Sequence, residues 1–136
     1  MRKIAEFPFK HIALGSFGHI FRPYALCEIE LVDQSQWISA EMIVDTGADY
    51  TLLPVAYADI LGVNLAKDCI EENTFGIGGR EKVYLYKGLH IKIAHLQKRV
   101  TVGFLSSNSA PPLLGRLGFL ETMKVVFYNS VTAFEE

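Results

Sequence analysis

Met42-Ile43-Val44-Asp45-Thr46-Gly47-Ala48-Asp49, read together with Leu113-Leu114-Gly115-Arg116, decides this chain. The first stretch is an apolar run that ends in a carboxylate, a hydroxyl and a glycine. The second is an apolar pair followed by Gly-Arg near the C-terminus. Asp-Thr-Gly occurs once in the sequence, and the chemistry it suggests needs two carboxylates. A carboxylate at the end of a buried strand such as Met42-Ile43-Val44 is partly desolvated. Thr46 offers a hydroxyl to a hydrogen-bond network, and Gly47 lets another backbone come close. If a two-fold axis set a second Asp45 beside the first, the two carboxyls could not both ionise cheaply and would share a proton. One could then act as base toward water and the other as acid toward a carbonyl oxygen. The plain alternative is a strand-to-turn aspartate that caps backbone N–H groups.

Around these segments, strand signals dominate. Tyr24 to Val32 and Trp37 to Val44 form two runs, with Asp33-Gln34-Ser35-Gln36 as the turn between them. Pro54 to Leu61 has a helical rhythm, with Pro54 as first helical residue and Gly62 as the stop. Cys69 to Phe75 and Lys82 to Ile93 are the arms of a hairpin whose centre is Gly76-Ile77-Gly78-Gly79-Arg80. Glycines at such a tip let backbone N–H groups turn toward a ligand, and a hairpin over a cleft can exclude water. A bare hairpin turn is the simpler reading. A phosphate-cradling loop lacks the Lys-Ser/Thr and the helix that should follow. Val100 to Leu105 continues as strand, Ser106 to Pro112 is a loop, and Arg116 to Met123 has room for one or two helical turns. Lys124 to Tyr128 and Val131 to Phe134 close the chain as strands around Asn129-Ser130. Many short strands and one or two brief helices predict a mostly-β single domain. Met1 to Arg22 says least; its apolar residues suggest packing, as an extra strand or at a subunit contact.

Composition narrows the classes of function. The chain has 136 residues, half of them hydrophobic, and a formal charge of −2. That suffices for one core. No apolar stretch reaches the roughly 18–20 residues that span a bilayer, and no secretory h-region follows Arg2 and Lys3. A soluble, cytoplasmic protein is the expectation, with neither nucleic acid nor membrane as partner. Cys27 and Cys69 are isolated and lack the spacing of a zinc site, so no metal is expected. Arg116, beside apolar residues, needs an acidic partner if it is buried; Asp49 is the natural candidate.

In this order and spacing, the elements resemble the retropepsins, the single-domain aspartic proteases typified by retroviral proteases. Asp45-Thr46-Gly47-Ala48-Asp49 with Thr51-Leu52-Leu53-Pro54 looks like the catalytic segment. Gly76-Ile77-Gly78-Gly79 followed by Lys82-Val83 looks like the flap, and Leu113-Leu114-Gly115-Arg116 like the segment that loops under the catalytic strand. The likeness covers Tyr24 to Tyr128. Leu114-Gly115-Arg116-Leu117-Gly118-Phe119-Leu120, then Lys124-Val125-Val126-Phe127, is similar to standalone microbial members. The resemblance implies a retropepsin-like barrel over residues 22–136, preceded by an extension at 1–21. It implies a homodimer that cleaves extended peptides without a cofactor. Asp45 would be the catalytic aspartate of each protomer, and Thr46 would hydrogen-bond across the dimer axis. The Gly47 carbonyl would accept from the substrate backbone. Ala48, Asp49, Gly76, Ile77, Gly78 and Gly79 would contact substrate, and Asp49 and Arg116 would form an ion pair. The chain departs from the viral enzymes in two places: about twenty residues precede the core, and Arg80 stands where they carry an aromatic. A catalytically silent module for dimerisation or peptide binding, or a dimeric scaffold, are the competing readings.

Overall fold

The structure, a computed structural model, describes residues 2–76 and 79–136. Its main body is one sheet that rolls up on itself. The strands are β4 (Tyr24–Glu30), β5 (Trp37–Val44), β6 (Thr51–Pro54), β7 (Cys69–Gly76), β8 (Gly79–Ile93), β9 (Leu96–Leu105) and β10 (Leu113–Leu114). They lie in the order β4-β5-β10-β6-β9-β8-β7. β8 also returns to β4, through Glu28↔Lys92 and Ile29↔Ile91, so the sheet closes into a barrel with β7 outside the ring. Closure leaves few open edges. Strand alternation fills the interior: Ala25, Cys27 and Ile29 point inward from β4, while Leu26 is exposed. Met42, Leu53, Ile91, Val102, Phe104 and Leu114 complete the buried cluster.

The ring has one unusual member. β10 is two residues long and slots between β5 and β6, parallel to the first and antiparallel to the second. Leu113 pairs with Ile43 on one side and Leu52 on the other. The chain from Asp45 to Tyr50, which joins β5 to β6, must therefore loop out beyond the end of β10.

A second sheet flanks the barrel, in the order β1 (Lys3–Pro8), β12 (Val131–Glu135), β11 (Lys124–Tyr128). Phe134 and Thr132 of β12 are buried beneath it. The two-residue turn between β11 and β12 holds Asn129 and Ser130 at φ 50° and 59°, the left-handed pair that matches the twist of a tight hairpin. The segment up to Arg22, expected as an extra strand or a subunit contact, supplies β1 and a separate two-stranded hairpin, β2 (Lys10–Gly15) and β3 (Gly18–Arg22).

The helices differ from expectation in their bounds. Pro54 is the last residue of β6, paired in parallel with Leu105, and α1 runs Ala56–Leu61. Gly62 does end it, at φ +85°, with its N–H donating to the Asp59 carbonyl. A second helix, α2 (Leu65–Asp68), starts at Asn64, whose side chain accepts from the Lys67 N–H while Asp68 accepts from the Asn64 N–H. The segment Arg116 to Met123, expected to hold one or two helical turns, has a turn over 116–119, where the Phe119 N–H donates to the Arg116 carbonyl, and then a 3-10 turn, Leu120–Thr122. The Arg116 and Leu117 N–H groups are already committed to carbonyls of another segment. No helix among the described residues is long and apolar enough to cross a membrane.

Candidate active site

Asp45 follows directly on β5, and the loop that carries it is held from below by β10 and the residues after it. The Ile43 N–H donates to the Pro112 carbonyl at 2.9 Å, and the Asp45 N–H to the Leu114 carbonyl at 3.0 Å. Farther on, the Arg116 N–H reaches the Ala48 carbonyl and the Leu117 N–H the Asp49 carbonyl, both at 2.9 Å. The loop from Asp45 to Asp49 is thus clamped at both ends by main chain.

Two more contacts fix its far side. Thr51 is fully buried, and its hydroxyl accepts from the Gly115 N–H at 3.1 Å. Gly115 packs so tightly against Tyr50 that no side chain fits there. Sequence reading missed the role of Thr51. A hydroxyl at the start of an otherwise apolar strand was the available sign, because a buried hydroxyl needs a partner.

Within the loop, the Gly47 N–H donates to Asp45 Oδ1 at 3.0 Å, and the Ala48 N–H donates to the Asp45 carbonyl at 3.2 Å. Asp45 is half-buried, whereas Thr46 and Gly47 are exposed. The Thr46 hydroxyl makes no hydrogen bond within the chain, among the described residues. The carboxylate is oriented by one backbone donor, and the residue borders an open space.

That space is a cleft of about 980 Å³. Asp45, Gly47, Ala48 and Asp49 form its floor, with Leu52 and Leu113 beside them. The β7–β8 hairpin forms its roof through Glu72, Asn73, Thr74, Gly79, Arg80 and Glu81. The hairpin register pairs Gly76 with Gly79 and Thr74 with Glu81; Ile77 and Gly78 lie outside the described residues. The roof side chains carry no sign of their role in the sequence, because their facing depends on the hairpin's register. Smaller hollows lie elsewhere, one beside His90, Glu30 and Arg99 and one on the β1-β12-β11 sheet. Neither contains Asp45.

Arg116 turns out of the core. Its Nη2 donates to Asp49 Oδ1, and its Nη1 lies 3.7 Å from Glu121 Oε2. The side chains of Arg116 and Asp49 are 40% and 67% exposed. This corrects the sequence picture of an arginine near the core: the group is solvated, and its partner Asp49 is the one that lines the cleft. No group of three His, Cys, Asp or Glu side chains among the described residues is placed to hold a metal ion.

The chain resembles the crystal structure of a retropepsin-like aspartic protease from Rickettsia conorii, with a TM-score of 0.60 over 96% of this chain and 98% of that one. The fold is retropepsin-like. Sequence identity to that protein is 19%, so the likeness carries the architecture and leaves activity to the residues themselves. No protein-family model matches the sequence, and no curated protein matches it. In the retropepsin-like frame the chain is one mostly-β domain, with the Asp45 loop between β5 and β6 and the β7–β8 hairpin above it.

Proposed function

We propose that the chain is one half of an aspartic endopeptidase, in which Asp45 and Asp45 of the partner subunit meet across a two-fold axis. One observation carries the reading. A half-buried carboxylate, aimed by the Gly47 N–H, stands on the floor of a cleft large enough for an extended peptide. The Gly47 bond by itself is what a turn-capping aspartate makes; the cleft that the carboxylate borders is what that role leaves unexplained. The exposed Thr46 hydroxyl, unpartnered among the described residues of its own chain, suits a bond to a second copy. An isologous interface is the simplest way to bring one carboxylate beside its mate.

In this mechanism substrate lies extended between floor and hairpin, adding strand-like hydrogen bonds to both. The Gly47 carbonyl accepts from its backbone. Ala48, Asp49, Gly76, Ile77, Gly78 and Gly79 contact its residues. The ionised aspartate takes a proton from water as the oxygen attacks the scissile carbonyl carbon. The protonated aspartate gives its proton to the carbonyl oxygen, forming a gem-diol. As the C–N bond breaks, the aspartate that took the water proton passes it to the amine nitrogen, and a diol hydroxyl returns a proton to the other aspartate, leaving a new carboxyl, a new amine and the dyad restored. No step requires a metal or an organic cofactor.

Cleavage of a peptide library at several pH values, with wild type beside Asp45→Asn, tests the reading. Cleavage by wild type, abolished in a variant that still folds, is the expected result. Equal turnover by the variant would remove Asp45 from the chemistry. Silence of a wild-type dimer would favour a peptide-binding or scaffold role for the same fold.

A further inference from the structure

The hairpin formed by β2 and β3 is the least supported part of the molecule. It is a sheet of its own, closed by Gly15↔Gly18 around Ser16-Phe17. Every residue from Lys10 to Arg22 is exposed except Gly15, which is half-buried. Yet its composition is that of an interior: Ile12, Leu14, Phe17, Ile20 and Phe21 all face solvent, Leu14 at 72% and Phe17 completely. A lone two-stranded sheet is marginal in water. Fully burying a large apolar side chain gains about 1.5–3 kcal/mol. Such a surface implies a cover.

Three observations choose the cover. First, the hairpin is rooted at the half-site. Pro23, next after Arg22, accepts the N–H of Val44, the residue before Asp45, at 2.9 Å. Second, the apolar surface continues from that root. Phe9 packs edge-on against Phe127 at 6.0 Å, and Tyr128 beside it is 72% exposed. Both lie on β11, an edge strand whose outer side is unpaired among the described residues. Third, charge is complementary. Residues 10–22 contain Lys10 and Arg22 and no acid, so they carry +2; the chain carries −2, and the remainder therefore −2 − (+2) = −4. Lys10 is paired with Glu41 of its own chain at 2.7 Å, so Arg22 is the arm's cation left for a partner among the described residues. A basic arm and an acidic body on one chain favour reciprocal contact between two copies.

We infer that the hairpin Lys10–Arg22 is a dimerisation arm that packs on the body of a second copy of this chain. The half-site reading of Asp45 enters only in naming a second copy as occupant. Two-fold symmetry makes the exchange reciprocal, each arm covering the other's body. The arm thereby brings the two Asp45 loops to the same face.

The test compares wild type, Leu14→Ser/Phe17→Ser and Arg22→Glu by sedimentation over a range of protein concentrations. Peptide cleavage and flotation with anionic phosphatidylserine vesicles run in parallel. These side chains are exposed, so thermal unfolding should be unchanged in the monomer. Wild type should dimerise, and each variant should do so at least about tenfold more weakly. Cleavage by the variants should recover as protein concentration rises. A dimerisation constant unaltered in both variants, or a wild type monomeric throughout, overturns the arm. So does loss of vesicle binding with dimerisation intact, which would make the hairpin a membrane-surface element. Weakened dimers with a wild type silent toward peptides would keep the arm and sink the protease reading. Full cleavage with equal dimerisation would do the reverse.

Discussion

A Cβ built on Gly115 would stand 2.3 Å from the Tyr50 carbonyl oxygen and 2.9 Å from the Thr51 nitrogen. Both contacts are to main chain, so neither can rotate away. They join the segment after β10 to the far end of the Asp45 loop. The glycine is required by space rather than by a left-handed φ, since Gly115 is not among the positive-φ residues. The same close approach lets the Gly115 N–H reach the buried Thr51 hydroxyl.

Gly115→Ala should therefore push β6 and β10 apart. Overpacking of a tight interior typically costs about 1–3 kcal/mol, and loss of the Thr51 bond would add about 1 kcal/mol. We expect a lower urea midpoint with an unchanged slope, and a larger loss for Gly115→Val. An alanine variant as stable as wild type would mean that the two segments can separate freely. Thr51→Val, which keeps the volume and removes the acceptor, isolates the hydrogen bond and should cost less than Gly115→Ala.

The Asp45 loop was legible because its signals are local: an apolar run, then Asp-Thr-Gly. The β7–β8 hairpin was legible for the same reason, through strand-like arms around glycines. The insertion of β10 between β5 and β6 had no local sign. Leu113 and Leu114 find Ile43 and Val44 far back along the sequence, and two leucines announce no partner. Resemblance, not periodicity, pointed there. Arg116 misled for a related reason. It follows buried Leu114 and Gly115, but only its backbone is engaged inward, at the Ala48 carbonyl. Proline suits a first helical turn, which is why Pro54 reads as helical; β9 claims it instead through Leu105. Apolar residues in the first twenty-two promised burial, and within one chain the β2–β3 hairpin remains uncovered.

Exposure of the Asp49–Arg116 pair sets its worth. A buried pair broken on one side loses about 3–5 kcal/mol, but a solvated pair contributes about 0–1 kcal/mol. Arg116→Ala should thus change the stability of the isolated chain by less than about 1 kcal/mol. The main-chain bonds from Arg116 to Ala48 and from Leu117 to Asp49 persist without the side chain, so the loop keeps its anchor. Added salt should shrink the small difference further. Thermal unfolding of Arg116→Ala and Asp49→Asn checks this, and a loss of several kcal/mol would mean the pair is desolvated by something that covers it.

Cys27 gives the fold an alkaline limit. Its side chain is fully buried on the inner face of β4, with Sγ 3.8 Å from the Ala25 carbonyl. Burial pushes the thiol from an ordinary value of 9.0 up to about 12. The folded state therefore keeps a proton that the unfolded chain releases. Below pH 9 both states are protonated and stability does not depend on this group. From pH 9 toward 12 the unfolded state binds fewer protons, so stability falls as pH rises, by about 1.4 kcal/mol per unit. Cys27→Ala should lose some packing at neutral pH, yet its stability should decline less steeply above pH 9. Urea titrations of the two proteins from pH 8 to 10.5 would reveal converging curves; parallel curves would mean that the thiol ionises in place. Thiol reagents offer a second check at pH 8. Cys69 is only partly covered, and its pKa is raised first by that burial and then by the Asp68 charge. It should react slowly in the native protein, while Cys27 should react only when the barrel opens.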